Sequence, residues 1–361
     1  MTTAVAQAPI PDTVKSKAVD VASVSVVSPD DPRWLAFLSA SSGATPFHHP
    51  AWARTISATY GLRPFAVVLT AGEKVLAGLP AIETRSLLRT RRWVSLPFTD
   101  ACGPLAITPA ASDALLGGLD RLANDAGRHL EARARIDAVG WQTAALFVVH
   151  QLELDADPDA LRARLRKTQA GRNIARSERE GVLVRPAESD ADIQTFYDLH
   201  LATRRRQGTP VQPRKFFTQI RNSLIDQGLA SILLAEVEGR AVAAALFLTW
   251  NGVTVYKFGA SDPAAWPRRP NHALFWTAIR ESCLRGDRRF DLGRTDLDNH
   301  GLRAFKASWL ATEQPLFYST LEPGASSGKE GLPRRAVGFV IRNTPTFVCR
   351  RIGESLYRYV G

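Results

Sequence analysis

The chain has 361 residues, of which 45% are hydrophobic and 22% charged, the make-up of a packed protein of about two domains at roughly 150 residues each. That excludes a disordered, collagen-like or disulfide-scaffold chain, and no apolar run approaches the ~18–20 residues needed to cross a bilayer. Forty-six Lys plus Arg against 35 Asp plus Glu give a net charge of +11, and only 8 of the 46 are Lys.

Arginine presents a planar fork that grips phosphate oxygens in pairs, so this excess suits an anionic ligand. A GC-rich genome would raise arginine as well. The charge therefore admits nucleic acid, nucleotide-sugar or membrane-surface partners without choosing among them. Cys102, Cys283 and Cys349 are far apart and offer neither a disulfide framework nor a C-x-x-C pair. The N-terminus lacks the apolar core of a secretory signal, which predicts a cytoplasmic location.

In chain order, residues 1–22 read as a disordered tail. A strand at 23–27 precedes a helix capped by Asp30 or Asp31 with Pro32 in its first turn. A second helix runs over 50–60 and closes at Gly61. Strands at 65–70 and 75–82 flank the turn 71–74 as a hairpin. A strand at 93–98, a helix at 110–126 and strands at 130–136 and 147–154 complete a first half, 23–155. The second half, 182–321, repeats that order: a strand at 182–184, helices near 191–205 and 213–226, a hairpin of 232–237 and 242–248, a strand at 253–258, a helix at 271–284 and a strand at 289–292. Placing Gly72 on Gly239 puts Val75-Leu76-Ala77 on Val242-Ala243-Ala244, an offset of 167 residues that makes internal duplication the simplest reading. The expected fold is α/β (α+β): two tandem domains of one kind, each a central mixed sheet flanked by helices. Residues 156–181 read as one basic connecting helix carrying Arg162, Arg166 and Lys167. Such a run is ordinarily a solvated face, yet domain junctions are where ligand clefts form.

Motif searches exclude the commoner chemistries. The one G-x-S-x-G match, Gly324-Ala325-Ser326-Ser327-Gly328, lies in the Gly/Ser-rich stretch rather than between an expected strand and helix, and there is no P-loop, H-E-x-x-H or G-x-G-x-x-G. His48 and His49 are adjacent, a poor chelate, and the faint calcium-loop pattern before Gly301 would need its twelfth-position acid where Ala307 stands. No metal site is expected.

One ordered set of segments stands out: Tyr256-Lys257-Phe258-Gly259-Ala260-Ser261, Pro270-Asn271-His272-Ala273-Leu274, Phe290-Asp291-Leu292-Gly293-Arg294 and Gly301-Leu302-Arg303-Ala304-Phe305-Lys306. Phe47-His48-His49-Pro50-Ala51-Trp52, Arg172-Asn173-Ile174 and Thr203-Arg204-Arg205-Arg206-Gln207-Gly208 extend it. At these positions the chain resembles the FemAB/BioF2-like branch of the GNAT acyltransferase superfamily, over roughly residues 23–321.

The resemblance implies two GNAT-like domains side by side with an acceptor held between them, and an amide-forming transfer without a tightly bound cofactor. Relatives that use aminoacyl-tRNA place a lysine after a phenylalanine near the reacting carbonyl, which here falls on Phe305-Lys306; a cation there stabilises charge that develops only in the transition state. Arg206 falls where relatives hold acceptor phosphates, with Arg54, Asn271, Asp291 and Arg294 as further substrate-binding candidates and Tyr256 as a catalytic one. Arg162, Arg166 and Lys167 are the expected donor contacts. GNAT enzymes that use acetyl-CoA cradle its pyrophosphate on a glycine-bearing loop opening a helix. The equivalent residues, 268–273, contain no glycine and begin their helix with Pro270, which has no N–H to offer. The carboxylate proposed as a base in some relatives is missing after Gly103-Pro104; Asp100 is a substitute or a loop cap.

The leading expectation is aminoacyl transfer from aminoacyl-tRNA to an amine of a cell-wall precursor or small peptide. The alternatives are an acyl-CoA-dependent enzyme acting on an amino sugar in polysaccharide assembly, and a non-catalytic scaffold at the membrane surface. Residues 322–361 form a Gly/Ser-rich linker and a segment with six Arg between apolar residues. That segment suits either peripheral contact with an anionic membrane, where a lipid-linked acceptor would lie, or packing on the core.

Overall fold

The computed structural model describes residues 22–85 and 91–322; the expected N-terminal tail, up to residue 21, and the C-terminal segment from residue 323 lie outside them. The first half comprises β1 (Ser23–Val27), α1 (Pro32–Ala40), α2 (Pro50–Tyr60), β2 (Arg63–Ala71), β3 (Lys74–Arg85), β4 (Arg91–Val94), β5 (Leu105–Ala106), α3 (Pro109–Ala126), β6 (His129–Ala132) and β7 (Trp141–Glu153). The connection holds α4 (Pro158–Leu165) and α5 (Gln169–Arg179). Then come β8 (Leu183–Pro186), α6 (Asp190–Gln207), α7 (Arg214–Ile220), β9 (Ala230–Val237), β10 (Arg240–Trp250), β11 (Val253–Ser261), α8 (Pro270–Arg285), β12 (Arg289–Asp296), α9 (His300–Ala307) and β13 (Thr312–Leu321).

Local chemistry sets most of these bounds. Pro50 opens α2 while the His49 ring accepts from Ala51 N; Thr108 caps α3, with Pro109 first in the helix. Ser189 and Asp192 form a reciprocal capping box on α6. The basic stretch expected as one helix is two. Thr168 accepts from Gly171 N and starts a new helix, and a Cβ on Gly171 would lie 2.0 Å from Leu165 O. Only glycine lets α5 fold back so closely over the end of α4. The expected strand 93–98 stops at Val94, because Leu96 and Phe98 take positive φ values of 60° and 62°. The helix expected over 213–226 ends at Ile220 and continues as a π-turn, Arg221–Ile225.

The duplication is visible in the strand order. β1, β2, β3 and β4 pair antiparallel in sequence and β4 then pairs parallel with β6; β8, β9, β10, β11 and β12 repeat this. The final strands are exchanged: β13 pairs with β6, β7 pairs with β12, and β7 and β13 pair with each other. Where two sheets are expected, exchange joins them, among the described residues, into one of 13 strands. The halves also share a core, in which Trp52 of α2 meets Phe216 of α7 with ring centres 6.0 Å apart. Both rings are fully buried, and truncating either should cost about 3–5 kcal/mol.

Candidate active site

The site is organised by a parting of strands. β11 and β12 pair in parallel only from Val253↔Arg289 to Val255↔Asp291. Beyond that each is irregular against its other neighbour. β11 bulges against β10, with Leu246 opposite Phe258 but Phe247 opposite Tyr256, which leaves Lys257 extra. β12 bulges against β7, with Gln151 opposite Asp291 and Val149 opposite Arg294. Bulges bend strands and re-aim side chains. Gly293 makes the second one possible: its φ is +76°, and a Cβ would sit 2.7 Å from Tyr256 O. From Tyr256 onward, the edge of β11 that faces β12 is outside the ladder.

The first half supplies the loop of residues 95–104 to this opening. Lys257 Nζ donates to Asp100 Oδ1 at 3.0 Å, with the side chains 5% and 15% exposed respectively. Tyr318 donates its hydroxyl proton to Asp100 O at 3.1 Å, and Arg294 Nη1 donates to Tyr318 Oη at 3.1 Å. Arg133 braces the loop by donating to Thr99 O at 2.6 Å, with its guanidinium over the Tyr318 ring. Burial alone would raise the Asp100 carboxyl, but Lys257, Arg294 and Lys306 outweigh it and hold the group below the usual carboxylate range. Burial drives the Lys257 amine down, with Asp100 offsetting part of the loss. The amine lies near the Phe47, Trp52 and Phe258 rings, at 5.2 to 5.9 Å from their centres, so those electron-rich faces help carry its charge.

Lys306 lies beneath the opening. It is 1% exposed, and its Nζ donates to Gly293 O at 2.6 Å and Arg294 O at 3.1 Å, both carbonyls of the β12 bulge. Burial lowers its pKa to about 8, with Asp100 and Asp291 pulling the other way. Asp291 accepts from Gln151 Nε2 at 3.0 Å and Gly293 N at 2.7 Å, and burial pushes its carboxyl up. Phe305 packs edge-on against His272 and Phe275. The Tyr256 ring lies 4.6 Å from that of Phe275. Burial raises the Tyr256 phenol to about 12, so it stays protonated at neutral pH.

The expected site residues thus fall into separate groups. Asp100, Tyr256, Asp291, Arg294, Phe305 and Lys306 converge at the parted strands. Arg206 and Asn271 meet at the start of α8: Asn271 Nδ2 donates to Ser261 Oγ at 3.4 Å, Trp266 Nε1 to the same oxygen at 2.9 Å, and Arg206 lies over the Trp266 ring while donating to Ser261 O at 3.4 Å. Arg54 stands apart on α2, paired with Asp30. Arg162 on α4 is engaged by both Glu178 oxygens at 3.0 Å, whereas Arg166 and Lys167 are exposed at the α4–α5 turn. Sequence reasoning did not assign Lys257, Tyr318, Gln151 or Arg133. Lys257 sits inside the recognised segment 256–261; Gln151 and Tyr318 carry no local signal, because strand exchange brings them in, and Arg133 comes from the residue after β6, bridged to Cys102. Beside Tyr318 an open groove of ≈ 280 Å³ is lined by Glu131, Gln142, Thr143, Ala144 and Leu146.

Residues 161–306 match the family model of an acetyltransferase (GNAT) domain. That stretch spans β11, α8, β12 and Lys306. The second half of the chain is thus similar to a GNAT acetyltransferase domain. Among solved structures, FemX aligns over 82% of this chain and 96% of its own, at 14% identity and a TM-score of 0.65. L-PGS from Bacillus licheniformis aligns over 91% and 98%, at 14% identity and a TM-score of 0.53. A tandem GNAT protein from the clavulanic acid biosynthesis pathway aligns over 85% and 100%, at 14% identity and a TM-score of 0.52. At such identity the likeness is one of fold, and it extends the GNAT architecture to both halves. No curated protein sequence matches the chain. Among the described residues no helix is long and apolar enough to cross a membrane.

Proposed function

We propose that the chain forms an amide, moving an acyl group from an activated donor bound along β11 to an amine held in the groove beside Tyr318. The supporting observation is the parting of β11 and β12 directly over the cluster of Asp100, Lys257 and Lys306. An acyl carbonyl placed there would meet free backbone edge on one side and cationic amines below, the electrostatic setting that stabilises a developing oxyanion. Lys306 acts from beneath, through the field at the bulge and through the geometry of the Gly293 and Arg294 peptides. Arg294, exposed and bonded to Tyr318, and Arg133, over the Tyr318 ring and paired with Glu131, are cations beside the groove.

For the donor we favour aminoacyl-tRNA. The residues opening α8 include Arg269 in the left-handed region and Pro270, without a side-chain cap, so they lack the glycine loop that receives a pyrophosphate. Arg166 and Lys167 give a polyanion a basic approach from the connecting helices. The acceptor would be an amine on a cell-wall precursor, peptide or lipid-linked glycan, and a lipid-linked acceptor would bring the chain to the inner face of the membrane. The acyl-CoA reading has its own support in the acetyltransferase domain match over residues 161–306. The deciding experiment supplies radiolabelled aminoacyl-tRNA or acetyl-CoA with peptide and amino-sugar acceptors. Amide product from aminoacyl-tRNA alone is the expected result. Product from acetyl-CoA alone would select the second reading, and product from neither would leave a binding scaffold.

A further inference from the structure

β7 outruns its neighbour. β12 pairs with it over residues 147–153 and ends at Asp296, opposite Phe147. β7 begins earlier, at Trp141, and on its other side pairs with β13 down to Leu321. Residues 142–146 are therefore paired on one edge only. Among the described residues no other strand takes the side that β12 vacates, and all five residues are exposed. An open edge presents a row of main-chain N–H and C=O groups, a template for another extended chain. Proteins commonly blunt such an edge with charge or proline, yet the residues here are Gln142-Thr143-Ala144-Ala145-Leu146. The edge also adjoins the site. Where β12 ends, β7 bulges against β13, with Phe147 opposite Leu316 but Ala145 opposite Phe317, which leaves Leu146 extra. Gln142, Thr143, Ala144 and Leu146 line the groove beside Tyr318. Tyr318 stands opposite Ala144, and its hydroxyl is bonded to Arg294 and Asp100. A chain laid on residues 142–146 takes the place in the sheet that β12 leaves at Asp296. Arg294 is two residues further along β12, about 7 Å at the rise of a strand, a span that a terminal residue or a long side chain covers.

We propose that the acceptor is an extended peptide, which adds to β7 as a strand at residues 142–146 and offers its amine across Tyr318 and Arg294. This rests on the acyl-transfer reading and selects a peptide over an amino sugar. Five strand residues span about 17 Å, room for four or five acceptor residues. Main-chain bonds supply the affinity; a sugar has no repeating N–H and C=O to match the edge. Specificity falls to alternate side chains, since successive residues of a strand point to opposite faces. On the groove face they meet Gln142, Thr320 and Glu131, which form one row across β7, β13 and β6. Leu146, 46% exposed, is the apolar contact. In the transfer the peptide amine bonds to the acyl carbon and the carbon–leaving-group bond breaks. The leaving oxygen or sulfur takes one proton from the amine.

The test is hydrogen exchange of the full chain, read by mass spectrometry, with end-capped Ala-Ala-Lys-Ala-Ala, with forms of it N-methylated at one amide each, and with glucosamine. Main-chain recognition tolerates sequence, so a plain peptide is a fair probe, and no variant of the protein has to fold. Amides of residues 142–146 that face the open edge should slow by about 10-fold or more. Methylation should weaken binding about 10-fold at every second position and spare the positions between. In the transfer assay the lysine amine should become an amide, with the acceptor KM rising in the same alternating pattern. Exchange at residues 142–146 unmoved by the peptide, equal loss at every methylated position, or equal slowing on the outer edge of β1 overturns strand addition. Slow exchange there before any peptide is added overturns it too, because the chain then covers its own edge. Transfer to glucosamine and not to the peptide overturns the peptide acceptor while the acyl-transfer reading stands. Alternating protection without transfer from either aminoacyl-tRNA or acetyl-CoA overturns the acyl-transfer reading, and the acceptor role with it.

Discussion

Replacing Asp100 by Asn should cost about 3–5 kcal/mol, because it strands the Lys257 ammonium in a setting built to pair it. The two charges are 3.0 Å apart and largely shielded from water, so their gross attraction at an effective dielectric near 20 is roughly 5 kcal/mol. Desolvation offsets most of that, so the net contribution of the intact pair is small while the penalty for breaking it is large. Lys257→Met should therefore cost a similar amount, leaving a carboxylate with only Arg294 and Lys306 nearby. The double variant should lose much less than the sum of the singles, since neither charge is then left alone. The pH dependence has a definite sign. The folded Asp100 carboxyl lies below the ordinary 3.8, so its contribution is present above that value and lost as pH falls through the folded one. Urea denaturation of the four proteins at pH 7, repeated at stepwise lower pH, measures both effects. Single variants within 1 kcal/mol of wild type at pH 7, or a gap that widens under acid, would refute the reasoning.

Lys306→Met should cut turnover by about 100-fold and lower stability by about 1–3 kcal/mol, because the Gly293 and Arg294 carbonyls lose their donor; normal turnover in a folded variant would remove Lys306 from catalysis. Gly293→Ala should abolish transfer and reduce yield, since its Cβ would meet Tyr256 O at 2.7 Å; full activity would show that the bulge can relax. Arg206→Ala should raise the acceptor's apparent KM and leave kcat nearly unchanged, which initial rates against acceptor concentration will decide. Reversing Arg166 and Lys167 to Glu, with Arg162 kept for its pairing to Glu178, should weaken aminoacyl-tRNA binding and flatten its salt dependence. An unchanged slope in filter binding would make that turn a solvated connector.

Local elements were the legible part of the fold. Pro50 and Gly61 bracket α2, the turns at 71–74 and 238–240 mark hairpins, and the alignment of Gly72 with Gly239 exposes the duplication. These signals act over a few residues, or repeat in the chain itself. The exchange of β7 with β13 leaves no such trace, because non-local pairing depends on which edge is free once both halves have formed. Within the second half, 182–321, the elements assigned from the sequence stopped at the strand 289–292, so α9 and β13, which complete the site, were not anticipated as elements. The site followed the same rule. Lys306, Asp291 and Tyr256 sit in recognisable segments, but the Lys257–Asp100 pair spans 157 positions and the Tyr318–Asp100 bond 218. Arg162 reads as a donor contact until Glu178, 16 residues on, is seen to occupy it.

Hydrogen exchange resolved by mass spectrometry, with and without donor, tests the location of the chemistry most directly. With saturating aminoacyl-tRNA, the amides of residues 256–261 on β11 should slow by about 10-fold or more, as expected for strand-edge groups that gain partners, and the turn at residues 166–168 should slow with them. Protection confined to the connecting helices, or absent from residues 256–261 with either aminoacyl-tRNA or acetyl-CoA, would contradict an acyl site at the parting of β11 and β12.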